Sequence, residues 1–170
     1  MSFLNFGPQV LYHTDIDGLN PVQQPLTQGG VQFNFSYETF DTNVDVAGNT
    51  AVNKYYVGVE ANVVANYTNI QSMEELLQFF PDVSGNSVRI GIGCDAREDA
   101  ISLLMRPFIC GEVNTENENA FFFPVVLPIP DFNVTYSTSE QAIYTVRYDI
   151  LPYDPADLDF SMFFIGQVGT

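Results

Sequence analysis

The chain has 170 residues, is 46% hydrophobic and 14% aromatic, and carries a formal net charge of −16, from 21 acidic and five basic residues. That is enough apolar chain for one domain with a real core and too much for a disordered one, and no apolar run is long enough to cross a bilayer as a helix. So acidic a surface repels phosphate and anionic lipid, which argues against ordinary nucleic-acid or membrane binding, although it suits a passage through which nucleic acid must slide without sticking.

Met1 to Gly30 is crowded with breakers (Gly7, Pro8, Gly18, Pro21, Pro25, Gly29, Gly30). This predicts an extended arm with one short strand, Gln9 to Tyr12. The opening Met1-Ser2-Phe3-Leu4-Asn5 has no basic region and no cleavage site, so no signal peptide is expected. Val31 to Phe40 alternates, with Val31, Phe33, Phe35 and Tyr37 against Gln32, Asn34, Ser36 and Glu38, and predicts a strand. Asp41 to Asn53, rich in Asp, Asn, Thr and Gly, is long for a hairpin loop; loops of this length are often ordered by a partner.

Tyr55 to Tyr67 is the cleanest strand. Val57, Val59, Ala61, Val63 and Ala65 are expected to meet the core, and Gly58, Glu60, Asn62 and Asn66 to face water. From Ile70 the period becomes helical, with Met73, Leu76, Leu77 and Phe80 on one stripe. Ser72 followed three residues later by Glu75 is a capping box, and Pro81 stops the run, so one short α-helix is expected at about 71–80, closing over the core.

Val88 to Gly93 and Ile101 to Ile109 predict further strands. Phe121 to Pro130 is densely apolar but broken by Pro124, Pro128 and Pro130, which suits an edge strand or a strap and not a central strand. Phe132 to Tyr136 and Gln141 to Leu151 predict a hairpin, and Phe160 to Gly166 a last strand. Without a repeat or a linker, the reading is a single mainly β domain over 1–170.

Chemistry is sparse. His13 has no Cys or carboxylate at ligand spacing and reads as an ordinary surface residue. Asp15-Ile16-Asp17-Gly18 resembles the start of a calcium loop but lacks its later ligands. Gly91-Ile92-Gly93 lacks the third glycine of a dinucleotide turn. Asp154, Asp157 and Asp159 read as a solvated turn, and the Asn-x-Ser/Thr triplets at Asn34, Asn66 and Asn133 as chance matches on strands. Cys94 and Cys110 read as reduced thiols, though they could pair in space. No paired acid and base, metal cage or phosphate cradle emerges. The expectation is a binding or structural protein, with no enzymatic activity, cofactor or metal.

If Val31–Phe40 and Tyr55–Tyr67 are neighbours, their polar faces form one surface of Gln32, Asn34, Ser36, Glu38, Glu60 and Asn62, without Lys or Arg in those spans. A plain solvent-facing sheet is the ordinary explanation. Yet such faces usually mix Lys with Glu, and edge strands usually carry Lys as protection. Long unprotected strands suggest edges paired by other copies, and closure into a ring removes the edges.

In its order of parts the chain resembles the tail tube (major tail) proteins of long-tailed bacteriophages. The resemblance lies in the breaker-rich arm leading to Gln28-Gly29-Gly30-Val31, the long acidic loop, and the strand Tyr56–Tyr67 running into a helix with Glu74-Glu75-Leu76-Leu77. It continues in the Phe/Pro-rich segment Phe121–Pro130 before the hairpin that ends in Ile150-Leu151-Pro152. The resemblance implies an antiparallel β-sandwich or barrel with one flanking α-helix. It implies homo-hexameric rings stacked into a virion tail tube, made in the host cytoplasm. Gln32, Asn34, Ser36, Glu38, Glu60, Asn62 and Asn66 would then line the lumen, and Asp41, Asn43, Asp45 and Asn49 would make inter-ring contacts. Implied partners are the tape-measure protein, the tail terminator and baseplate or tail-tip proteins, with DNA passing through without specific binding and no membrane partner. Other readings are a tail terminator or a secreted tube ring of related fold. From a different class, a soluble carbohydrate- or ligand-binding β-sandwich would need an aromatic platform on a wet face.

Overall fold

In a computed structural model the described residues are 8–14, 19–43, 51–68, 70, 72–80, 97, 100–116, 119–131, 142–153 and 161–166. They are mainly β, in antiparallel pairing. The strands are β1 (Gln9–Thr14), β2 (Val22–Gln23), β3 (Thr27–Asn43), β4 (Ala51–Tyr67), β5 (Ile101–Ile109), β6 (Glu112–Val113), β7 (Phe121–Asp131), β8 (Tyr144–Ile150) and β9 (Phe164–Ile165), with one helix, α1 (Met73–Leu77). The predicted strand Val88–Gly93, Cys94 and the first limb of the predicted hairpin at Phe132–Tyr136 lie outside the described residues. Of the last predicted strand, Phe160–Gly166, Phe160 lies outside the described residues, and among the rest only β9 forms.

The main path through the sheet is β2-β1-β5-β7-β8-β4-β3. It curls until residues 24–26 join its two ends. The Gln24 N–H donates to the Leu11 carbonyl at 2.9 Å, and the Thr68 N–H to the Leu26 carbonyl at 2.8 Å. The concave side holds the core: Leu11, Val63, Ala65, Tyr67, Leu103, Phe123, Val126, Val146 and Tyr148 are all buried, with Phe33 packed against them. A smaller cluster of Leu104, Ala120 and Phe122 forms separately.

Helix α1 begins as the sequence predicts. Ser72 is extended, and its hydroxyl accepts from the Glu75 N–H at 3.1 Å. The helix is shorter than expected, five residues, and this changes which side chain enters the core. Past Leu77 the chain leaves helical geometry in a turn, so the 3.6-residue stripe does not extend to Phe80. Phe79 is the fully buried residue, its ring tilted at 31° against Tyr67 with centroids 4.8 Å apart.

Strand β7 overturns the expectation of an edge strand or strap, because it lies between β5 and β8. The physical reason is parity. β5 pairs with residues 121–126 and β8 with residues 126–131, so each half of β7 is laddered to only one of these two neighbours. The Val125 carbonyl accepts from the Leu151 N–H, which puts the odd-numbered backbone groups on the β8 side. Pro128 and Pro130, both even, turn their missing N–H to the side where β5 has ended. Pro124 sits at the register shift in the β5 ladder, and its carbonyl accepts from the buried Ser102 hydroxyl.

The β3–β4 hairpin outruns the rest of the sheet. Both strands are 17 residues long, but β8 pairs only with Asn62–Tyr67 of β4. Among the described residues, the outer edge of β3 has no partner strand beyond Val31, and the far half of β4 pairs with β3 alone. The expectation that Val57 and Val59 meet the core therefore fails within one copy. Ala61, Val63 and Ala65 are buried, whereas Val57 and Val59 are 59% and 37% exposed.

Candidate functional site

The predicted polar face exists and is larger than the sequence suggested. β3 and β4 are neighbours, and their register sets Asn34 opposite Asn62, Ser36 opposite Glu60, Glu38 opposite Gly58 and Gln32 opposite Val64. Gln32, Asn34, Ser36, Glu38 and Glu60 are exposed, and Asn62 and Asn66 are half-buried. The face continues onto β8, where Asp149 lies opposite Asn62, Arg147 opposite Val64 and Thr145 opposite Asn66. Val64 is an apolar interruption, and Arg147 brings a cation to a surface expected to have none.

The polar groups largely satisfy one another. The Asn34 amide donates to the Asn62 side-chain oxygen at 2.9 Å. The Thr145 hydroxyl donates to the Asn66 Oδ1 at 2.8 Å. Arg147 grips Asp149, two residues along the same strand, with Nε at 2.8 Å from one carboxylate oxygen and an Nη at 3.1 Å from the other. A two-pronged pair of this kind is directional and neutral overall. Thr145, Arg147 and Asp149 were missed as site residues, although the alternation of Gln141–Leu151 already put them on one face. The missing step was the β4–β8 pairing.

A bulge changes the hairpin beyond this face. Glu38 pairs with Gly58 but Thr39 pairs with Tyr56, so Val57 is an extra residue on β4. The slip reverses the parity of β4 and carries Tyr56 to the apolar side beside Tyr37, with ring centroids 4.8 Å apart. An aromatic row therefore leaves the core and runs outward through Phe123, Phe33, Phe35, Tyr37 and Tyr56. Its outer members are exposed: Phe35 38%, Tyr37 55% and Tyr56 74%. Neighbouring rings meet at 84° and 51°, so they form ridges and not the flat platform a sugar would stack on.

Of the predicted inter-ring residues, Asp41 is an exposed partner of Lys54 at 3.2 Å, and Asn43 ends β3 opposite Ala51. Asp45 and Asn49 lie outside the described residues.

His13 is not the surface residue expected. It is half-buried, with Nε2 at 3.2 Å from the Tyr148 hydroxyl, which in turn is 2.7 Å from the Tyr67 hydroxyl. The ring also stands edge-on to Phe79 at 5.8 Å. Desolvation lowers the imidazole pKa to about 4, so His13 is neutral at pH 7. Burial raises both tyrosines, which stay protonated. Cys110 has a free, exposed thiol, and no cluster of metal-ligating side chains occurs among the described residues.

No family model matches this sequence, and no curated protein matches it. A solved structure does resemble the fold. It is a chain from the cryo-EM structure of the anti-feeding prophage baseplate, six-fold symmetrised, with a TM-score of 0.51 and 13% sequence identity over 87% of this chain and 92% of that one. At that identity the likeness is one of fold.

Proposed function

We propose that this chain is a structural subunit of a phage-type tail, with copies closing into hexameric rings that stack into a tube for genome passage. The observation that carries the reading is the overhanging β3–β4 hairpin, with an edge that no strand among the described residues pairs, one self-satisfied polar face and one exposed aromatic face. A lone copy leaves the edge and the aromatic row unfinished, whereas ring closure pairs the edge, covers the row and turns the polar face toward a channel. The fold likeness to a chain of a six-fold symmetrised baseplate supports the same architecture. In this reading Gln32, Asn34, Ser36, Glu38, Glu60, Asn62 and Asn66 line the lumen, and no catalytic role is assigned. The tape-measure protein occupies the lumen during assembly, and the terminator and baseplate cap its ends.

Negative-stain microscopy of the purified protein tests this directly. Rings or tubes are expected, and a protein that stays monomeric at high concentration would refute it. The source of the structural neighbour favours a second placement, a ring at the baseplate end of the tail. Copy number per particle separates the two, since a single ring is far below the count of a stacked tube.

The channel reading also makes Asp149 matter. Replacing Asp149 with Asn removes the partner that neutralises Arg147 and leaves a cation free for phosphate. The fold should be unaffected, because exposed pairs contribute little stability. Assembled variant tubes are expected to retain duplex DNA at low salt where wild-type tubes do not, and to release it as salt rises. Equal retention by both proteins would refute the neutralising role.

A further inference from the structure

The polar face of the β3–β4 hairpin does not extend to the hairpin's outer end. β3 keeps its alternation past Glu38, so Phe40 follows Ser36 and Glu38 onto the polar side. The slip at Val57 sets Tyr55 opposite Phe40, and so on the same side. Both rings are exposed, Phe40 by 62% and Tyr55 by 55%. The other side of this stretch carries Tyr37 and Tyr56, the outer members of the aromatic row. Between Tyr37 and Phe40 on one strand and Tyr55 and Val57 on the other, the hairpin is therefore apolar on both faces, whereas nearer its root one face is polar. The exposed ion pair of Asp41 with Lys54 follows directly and ends the apolar stretch.

Strands that are apolar on both sides are the kind found buried on both sides. This chain's own sheet does not supply the cover. β8 stops opposite Asn62, and Tyr55 stands seven residues further along β4, roughly 23 Å beyond at about 3.3 Å per residue. Among the described residues, no strand but β3 pairs with that part of β4. At 150–250 Å² per aromatic side chain, the exposed parts of Phe35, Tyr37, Phe40, Tyr55 and Tyr56 amount to roughly 400–700 Å². A standard interface takes ~800 Å² from each partner, so this end alone supplies half of one or more. It is also uncharged: no acid or base lies between Glu38 and Asp41 or between Lys54 and Glu60. For copies that each carry −16, an uncharged segment reaching clear of the sheet is where two of them can meet without repulsion.

We propose that the hairpin end, Tyr37–Phe40 with Tyr55–Val57, inserts into a second copy of this chain that covers both of its faces, and that the polar channel lining stops at Glu38 and Gly58. The inference rests on the self-assembly reading and divides the hairpin into a root that lines the channel and an end that is buried between subunits.

Cysteine accessibility tests it. Phe40→Cys and Ser36→Cys lie on the same side of β3, and each is made in a parent carrying Cys94→Ser and Cys110→Ser. Each is then mixed as a minor fraction with that parent, so that intact hairpins carry the assembly. Below the assembly concentration both thiols should react readily with N-ethylmaleimide, because both positions are exposed. In assembled rings or tubes Phe40→Cys should slow about tenfold or more, as expected where an interface excludes water, while Ser36→Cys, facing the open channel, keeps its rate. Equal rates for the two thiols in the assemblies would overturn the buried end and leave the tube reading standing. Flotation of unassembled protein with neutral phosphatidylcholine vesicles, lost in Phe40→Ser, would assign the end to a lipid surface and overturn a second copy as its occupant. Parent and wild-type proteins that never assemble would overturn both readings.

Discussion

Lowering the pH from 7 to 4 is expected to cost about 3 kcal/mol of stability through His13 alone, whose pKa falls from 6.5 to about 4 on burial. The sign follows from the direction of the shift. The unfolded chain takes up a proton near pH 6.5 and the folded chain only near 4, so between those values the unfolded state binds more protons and is favoured by acid. The stabilisation is complete above pH 6.5, declines through the window, and is gone below 4. The groups facing the ring explain why it stays neutral: Tyr148, hydrogen-bonded to Tyr67, offers a hydroxyl and no charge, and Phe79 offers a ring edge. The many carboxylates titrate in the same range, so the measurement is a difference. Urea unfolding of wild type and His13→Phe at a series of pH values should give midpoints that converge and cross as the pH falls. Parallel curves would show that His13 takes no part.

The second large effect belongs to Phe79. Phe79→Ala is expected to destabilise the protein by about 3–5 kcal/mol, the range for a fully buried aromatic truncated in a core. That is a large fraction of the 5–15 kcal/mol typical of a domain. Five helical residues cannot hold a helix by propensity, so α1 stays because its trailing turn drives this ring between Tyr67 and His13. Leu76→Ala and Leu77→Ala, at half-buried positions, should cost clearly less. Thermal unfolding of the three variants orders them, and equal losses would contradict the assignment of Phe79 as the anchor.

Local rules made some of this readable from the residues. Period-two alternation located β3, β4 and β8, the span Ile101–Ile109 coincides with β5, and Ser72 was recognisable as a cap because capping is a short-range bond. Long-range partners were not readable. His13 meets Tyr148 across 135 residues, and nothing around His13 announces a tyrosine hydroxyl. The bulge was hidden by Tyr55, Tyr56 and Val57, three apolar residues in a row that suit either phase of a strand. Asn34 and Asn62 were rightly grouped because each lay on a clean polar face, but Arg147 and Asp149 joined them only through the β4–β8 ladder. The prolines of β7 misled because the rule that bars them from central strands counts neighbours, whereas the physics counts N–H directions.

Those same prolines limit the stagger of the curled sheet. β5 and β8 grip opposite halves of β7 and so are offset along it by about five residues, some 16 Å at the ~3.3 Å rise of a strand. Strands offset in this way must tilt relative to the barrel axis, and tilt and stagger together set the radius of curvature of a closed sheet. If β5 slid along β7 to reduce the offset, it would face Pro128 and Pro130, which have no hydrogen to give. The prolines act as a ratchet tooth on register: they do little for the strength of the ladder but bar its slide in that direction.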